Sequence, residues 1–559
     1  MKTHSTDPNR YFANTHTVEN QPPELENINL FEQDIALKEA VEREGAGWAI
    51  DEISAFGQKV GEAKYIELGF QANENKPVLH THNRFGHRVD EVKFHPAYHQ
   101  LMKSSIENGL HSSPWTNPKP GAHVARSAKC YLQSQIEAAH GCPITMTFAS
   151  IPSLRRQPDL AKIWEPLITS RQYDESNQPV SLKQGVTIGM AMTEKQGGSD
   201  VRANSTKAYP VGQPGGGQLY ELVGHKYFVS APMCDAFLVL AQAPNGLSCF
   251  LVPRWNEDGS KNPLQVLRLK DKMGNVANAS SETELRGALG WMVGEEGQGV
   301  RTIIEMVSLT RFDCMMGSSS GQRLAVAHAT HHCHYRSAFG AKLDQQPLMQ
   351  NVLADLALEQ EGSLAFTMRM ARALDNQHDE SEQLLMRLGT AVGKYWICKR
   401  TPNHAYEAME CIGGSGVMEN SIFPRMFRES PVNAIWEGSG NVQCLDVLRV
   451  MSKAPAAVEA FFDEIDRSKG ANSTLDNYVL NLKQAFTDLS NIEYRARNIV
   501  DRLALAIQGS LLVRNAPSAV SDLFCASRLT SNGGHNIGTM PLSGDCAAII
   551  DRARPNVGC

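Results

Sequence analysis

No stretch of this chain reaches the ~18 consecutive apolar residues of a membrane span. The opening residues, Met1-Lys-Thr-His-Ser-Thr-Asp-Pro-Asn9, hold no apolar core of an export signal. Both absences lead us to expect a cytoplasmic protein without a membrane partner. None of the twelve cysteines forms a Cys-x-x-Cys pair. Their scatter excludes a small disulfide scaffold, and we read them as reduced, mostly core residues. Cys559 is the exception, an expected exposed thiol. Charge of one sign is also lacking. Lys and Arg number 54 against 60 Asp and Glu, a net of −6, too little to suggest a chain that coats nucleic acid along its whole surface. No internal repeat is evident.

What is present is several domains' worth of chain, because one core rarely grows beyond about 250–300 residues. Residues 1–30 are polar and rich in Pro and Asn, an expected arm. From 31 to 184 the pattern is mostly helical, with mixed three- and four-residue apolar spacing in Phe31–Val41 and Pro96–Ile106. Between 185 and 292 short apolar runs appear, such as Phe237-Leu-Val-Leu240 and Cys249-Phe-Leu-Val252. Turn signals separate them, at Pro214-Gly-Gly-Gly217, Pro244-Asn-Gly246 and Asp258-Gly259. Helices return from 293 to 452, where Met349, Val352, Leu353 and Leu356 make one stripe after a start at Gln345-Gln346-Pro347. A linker at Lys453-Ala-Pro455 is expected to lead into a C-terminal helical domain, 453–559. That domain is helical to about 530 and then a loop-rich tail with Gly533-Gly534, Gly538 and Pro541. The fold class expected is α+β, mostly helical.

The most informative short stretch is Ile435-Trp-Glu-Gly-Ser-Gly-Asn441. Glu437 stands between a large aromatic and a glycine, in apolar surroundings beside a backbone that a ligand can approach closely. Desolvation of that carboxyl would raise its pKa and make it a base near neutral pH. A second stretch, Gly189-Met-Ala-Met-Thr-Glu-Lys-Gln-Gly-Gly-Ser-Asp200, ends an apolar run in a polar loop. Its paired glycines and hydroxyls suit an anionic or carbonyl-rich ligand. Gly224-His-Lys-Tyr-Phe-Val-Ser230 reads as a strand. Arg336-Ser-Ala-Phe-Gly340, Gln346 and Gly413-Gly-Ser-Gly416 complete the set.

In this order the set resembles the acyl-CoA dehydrogenase family, over roughly residues 90 to 450. A narrower set is similar to its AidB-like branch, associated with the adaptive response to DNA alkylation. It comprises Thr15-His-Thr-Val18, Asn20-Gln-Pro22, Phe94-His-Pro-Ala97, Pro143-Ile-Thr-Met-Thr-Phe148, Thr310-Arg-Phe-Asp-Cys314 and the stretches around Thr193 and Glu437. The resemblance implies an N-terminal helical domain, a central β domain, a four-helix bundle and an extra C-terminal helical domain. It implies non-covalent FAD. Glu437 would take the α-proton of an acyl-CoA, short branched acyl groups included, as the β-hydride goes to the flavin.

It also implies roles residue by residue. Met190, Met192, Thr193 and Ser199 would contact the flavin from the loop, Thr193 at the ring edge and Ser199 at the pyrophosphate. Phe228 would cover one ring face, with Ser230 beside it. Ile435, Gly438, Ser439 and Asn441 would contribute from the stretch around Glu437. Arg336, Gln346, Gly413, Gly414 and Gly416 would reach the FAD of a neighbouring subunit in a homotetramer. The chain departs from the family at Glu410, where Gln is usual before the Gly-Gly pair, and at Ser439 for Thr.

Two further groups carry expectations. His328, His331, His332, Cys333 and His334 lack a second ligand group at metal spacing, so we read a solvated helix face and no metal. His80, His82 and His87 read as a hairpin surface. Beyond residue 456 there are ten Lys and Arg against eleven Asp and Glu, a net of −1. The branch associates this region with double-stranded DNA, which would here rest on Arg495, Arg497, Arg502, Arg514 and Arg528. A DNA-binding protective flavoprotein with little dehydrogenase turnover thus stands as the alternative to a dehydrogenase.

Overall fold

In the computed structural model the described residues are 16–531, 534–541 and 544–557. Thr15, Gly533 and Cys559 lie outside them. Two hydrophobic cores organise the chain. One joins the N-terminal helices, the long helices Gly299–Tyr335, Pro347–Asp375 and Glu380–Ile412, and the C-terminal segment. The other joins the β domain to the helices Gly141–Leu154 and Pro158–Ile168 and to the first turns of Gly299–Tyr335. That longest helix therefore belongs to both cores and fixes their relative position.

The β domain is a seven-stranded sheet. Ala236–Ala243, Lys207–Pro210, Leu219–Ser230, Ser280–Val293 and Gly246–Pro253 pair in that order. Gly246–Pro253 then pairs back onto Ala236–Ala243, closing a barrel without free edges among those five. Ile188–Ala191 lies parallel to Ala236–Ala243 outside the ring. The apolar runs near 237 and 249 are neighbouring central strands, buried at nearly every residue. The turn between them, Pro244-Asn245, is where the punctuation places it. A small antiparallel hairpin, Val78–His82 with Arg88–Lys93, leaves His80, His82 and His87 exposed.

Two expectations about the C-terminal part change. Only Ala454 separates helix Gly440–Lys453 from helix Pro455–Asp466, so no linker exists. Phe461, Ile465, Leu503, Ile507 and Phe524 are sealed in the same core as the bundle. The tail is not all loop either, because Cys546–Ala553 is a helix capped by Asp545. Buried charges stitch the segment in. Glu464 receives Arg369 at 3.0 Å and Arg514 at 2.6 Å. Arg323, 3% exposed, donates to the Ala553 carbonyl at 2.6 Å and the Gln33 carbonyl at 2.7 Å, tying both ends of the chain to one bundle helix.

Removing one partner of a buried ion pair costs about 3–5 kcal/mol, because the remaining charge stays desolvated. Glu464→Leu is expected to destabilise the protein by about that amount. Deletion from Ala454 onward should abolish the cooperative thermal transition rather than release an intact core. Denaturant unfolding of the variant and scanning calorimetry of the truncated chain check these outcomes.

Candidate functional site

The stretch around Glu437 is held by its own carbonyl groups. After the short turn Val432–Ala434 the chain reverses, with Glu437 at φ 61° and Gly438 at φ 102°. A left-handed conformation is costly for a residue with a Cβ and persists only where the surroundings fix it. Lys394, 1% exposed, donates its Nζ to the carbonyls of Trp436 at 2.8 Å and Gly438 at 2.5 Å. Arg311 Nε donates to the Glu437 carbonyl at 2.9 Å, and Gln443 Nε2 to those of Glu437 and Gly438. Glycine suits position 438 because its φ of 102° strains any residue with a Cβ. Three carbonyls in a row thus point at three side chains from two bundle helices and from Gly440–Lys453.

The carboxyl that this turn presents is poorly solvated. Its Oε2 is shielded and has no hydrogen-bond partner among the described residues. Burial pushes the Glu437 pKa up to about 7, opposed by the positive charges of Arg311 and Lys394 and by a hydrogen bond from Thr310. The raised value is that of a carboxyl poised to exchange a proton near neutral pH.

Glu437 lines a cleft of about 2120 Å³ between the barrel and the bundle. Met190, Met192, Thr193, Ser199, Phe228, Ser230, Ile435, Gly438 and Ser439 line the same cleft. The loop that carries Thr193 is pinned by Glu194, which is fully buried. Glu194 accepts from Lys226 Nζ at 2.9 Å, from the Ser205 and Thr206 N–H groups and from the Ser205 hydroxyl. These hydrogen bonds and the Lys226 charge hold the Glu194 carboxyl well below the usual range, while burial lowers Lys226 to about 8. Gly198 packs so tightly on Thr193 that a Cβ would stand 2.5 Å from its hydroxyl oxygen. Phe228, 46% exposed, offers an open ring face into the cleft. The cleft, this ring and the hydroxyl-lined loop fit a flavin.

Other residues of the expected site lie elsewhere. Arg336, Gln346, Gly413, Gly414, Gly416 and Asn441 do not line this cleft. Arg336 Nη1 donates to the Asn20 carbonyl, and Gln346 Nε2 to the Ala338 carbonyl. Gly413 and Gly414 are exposed with open space around them, and Glu410 is exposed on the same helix end. Asn441 accepts from Arg497 Nε at 2.9 Å, so the C-terminal segment touches the helix that follows Glu437.

Sequence reasoning missed Lys394, Gln443 and the Lys226–Glu194 pair. A lone lysine in an apolar helix stretch, Thr390-Ala-Val-Gly-Lys-Tyr395, was the available signal. The histidine run is not a solvated face. His331, His332 and Cys333 are buried, and His331 bonds the Pro23 carbonyl. His334 pairs with Asp344, while burial lowers His328 to about 4. Among the described residues no three such groups gather as a metal site.

The arginine set changes too. Arg514 is spent on buried Glu464, and Arg528 on buried Asp355. Neither is free to meet a phosphate, because an internal carboxylate already holds each guanidinium. Arg495 turns back onto the Asp488 and Ser490 carbonyls, and Arg502 lies near the Tyr478 ring.

Comparison with known proteins agrees with this geometry. Residues 297–452 match the family model "Acyl-CoA dehydrogenase, C-terminal domain" and 189–288 the "Acyl-CoA dehydrogenase, middle domain". Residues 20–175 match "Adaptive response protein AidB N-terminal domain". AidB of Escherichia coli (strain K12) is 45% identical over 93% of this chain and 95% of its own. The chain belongs to the acyl-CoA dehydrogenase family. As a member it is an FAD-dependent oxidoreductase acting on CH–CH groups. Acyl-CoA dehydrogenase family member 11 of Caenorhabditis elegans is 30% identical over 82% of this chain and 75% of its own. Among solved structures, Caenorhabditis elegans ACDH-11 in complex with C11-CoA superposes with a TM-score of 0.84 at 27% identity, covering 93% of both chains. Among the described residues of this family member no helix is long and apolar enough to cross a membrane.

The raised carboxyl has a stability signature that needs no substrate. A folded pKa of about 7 against 4.5 means that this group's contribution is complete below about 4.5 and lost as pH rises through about 7. Glu437→Gln removes that loss. The variant should gain stability over the parent progressively across this window and keep the gain above it. Denaturant melts at a series of pH values measure the difference. A gap that does not widen with pH would show the carboxyl to be well solvated.

Proposed function

We propose that Glu437 is the base that removes the α-proton of a bound acyl-CoA. The carrying observation is the shielded, unpartnered Oε2 of a carboxyl raised to about 7, lining a cleft shared with the flavin loop. The α C–H bond breaks with its proton passing to Glu437, the β C–H bond breaks with its hydride leaving, and a trans double bond forms. FAD, when bound, supplies the acceptor for that hydride. Thr193, Ser199, Phe228 and Ser230 would hold the ring and pyrophosphate, and the clamp from Lys394, Arg311 and Gln443 keeps Glu437 in place. The acyl-CoA class is supported by the ligand of the ACDH-11 structure.

A homotetramer belongs to this reading. Arg336, Gln346 and Gly413 to Gly416 lie off the cleft of their own chain. Exposed apolar side chains surround them, among them Phe339, Leu348, Val417 and Met418. A second copy seated there would bring these residues to its FAD. DNA association has thinner footing, since of the five arginines only Arg495, Arg497 and Arg502 stay near the surface. A salt-dependent gel shift is its test.

Reduction of the flavin by acyl-CoA, followed by loss of its yellow absorbance, tests the proposal. Its rate should rise with pH through about 7 as Glu437 ionises. Glu437→Gln should keep FAD yet slow reduction by at least about 10²–10⁴-fold. Unchanged reduction by that variant would remove Glu437 from the base role. Arg336→Ala should lower FAD occupancy and loosen the oligomer together, as sedimentation and flavin absorbance would show.

A further inference from the structure

Next to Ser230 part of the cleft wall is polar. Ser230 Oγ bonds Ser280 Oγ at 3.0 Å, Lys272 Nζ bonds Ser280 Oγ at 3.1 Å, and Lys272 also donates to the Asn278 carbonyl. The same region holds a relay in which Ser105 Oγ meets His140 Nε2 at 2.9 Å and His140 Nδ1 meets Glu137 Oε2 at 2.8 Å. All of these residues line the cleft that holds Glu437. A hydrocarbon chain satisfies none of these polar groups.

Several atoms of this wall are shielded from solvent and lack a partner among the described residues. Arg425, 8% exposed, gives only Nη2, to the Ile136 carbonyl; its Nε and Nη1 are unpaired. Gln133, 3% exposed, accepts from the Tyr65 hydroxyl, but its Nε2 is unpaired. On the accepting side, Asn275 Oδ1, Asn278 Oδ1 and Glu429 Oε1 are unpaired. Arg425 and Glu429 sit one turn apart on helix Ile422–Glu429, and no ion pair between them forms among the described residues. A buried donor or acceptor left unsatisfied costs about 1–3 kcal/mol. Donors and acceptors concentrated on one cavity wall therefore mark a place that a polar group fills.

Charge narrows its nature. Arg425 and Lys272 lie near Glu137 and Glu429, and the neighbouring Arg428 is already paired with Glu419, so neither an anionic nor a cationic tail is favoured. We propose that this wall is a recognition subsite for a neutral group that both donates and accepts, a hydroxyl or amide on the acyl chain beyond its β-carbon. The acyl-CoA preferred by this protein would then be hydroxylated or amidated rather than a plain fatty acyl thioester. This rests on the dehydrogenase reading for the direction in which the acyl chain enters.

The experiment uses the full-length, FAD-loaded protein. Hexanoyl-CoA is compared with hexanoyl-CoA esters bearing a hydroxyl at successive carbons beyond the β-carbon, with affinity from calorimetry and flavin bleaching recorded in parallel. At least one hydroxylated ester should bind about tenfold more tightly than the plain one, the equivalent of about 1.4 kcal/mol. Gln133→Leu and Asn278→Leu should each bring that ratio towards one. Because Arg425→Met removes a residue that also braces Ile136, the two milder variants carry the test. Equal or weaker binding of every hydroxylated ester, with ordered water alone filling the wall, overturns the subsite. So does a preference that survives both substitutions. A selective ester that binds but does not bleach the flavin keeps the subsite and overturns the dehydrogenase reading; absence of binding by any thioester overturns both.

Discussion

A buried ammonium that, among the described residues, meets no carboxylate within ion-pair distance sits at the centre of this molecule. Lys394 spends its charge on two main-chain carbonyls, those of Trp436 and Gly438, and so fixes the peptide units on either side of Glu437. Arg311 closes the gap by taking the carbonyl of Glu437 itself. An ammonium with so little water is expensive to hold. With Arg311, it also restrains the rise of the Glu437 carboxyl on burial. One arrangement therefore does two things: it holds a backbone conformation that a side chain resists, and it sets how readily that side chain gives up a proton.

The clamp in turn depends on the bundle. Lys394 projects from Glu380–Ile412 and Arg311 from Gly299–Tyr335, and the two helices run parallel through one core, with Cys314, Gln322 and Cys333 of one meeting Cys398, Thr401 and Cys411 of the other. Arg311 is braced by Asp446, which Arg387 also holds. Asp446 lies on the helix that begins directly after Glu437, so the loop is anchored from both ends. The C-terminal segment extends the same logic. Glu464 pairs with both Arg369 and Arg514, and Arg497 reaches Asn441. What reads as an appended domain is, in energetic terms, a part of the scaffold beneath the site.

This explains which features were legible in the sequence and which were not. Glu437, the loop at Thr193 and the strand to Ser230 announce themselves locally, because a glycine, an aromatic or an alternating run acts within a few residues. The barrel strands near 237 and 249 are visible for the same reason. Lys394 is invisible as a clamp because its partners are 42 and 44 residues away. The Lys453-Ala-Pro455 step has a linker's composition, yet the buried Phe461 and Ile465 bring the chain straight back into the core. The histidines near 331 were misread because helical periodicity does not tell which face a second element covers. Here residues near Pro23 cover it, some 308 positions away in sequence.

A division of labour follows from where the motifs fall. The residues that hold the reacting end, from Glu437 to Ser230, converge within one chain, whereas Arg336, Gln346 and the glycines after Ile412 turn outward on the opposite end of the same helices. Their rigidity, set by a shared core, makes the separation between the two ends constant. Assembly of identical copies would then translate that fixed separation into a repeated site without any chain having to bend. The polar wall beyond Ser230 lies wholly on the inward side. In the assembly proposed above, acyl recognition falls to the single chain and retention of the cofactor to the contact between copies.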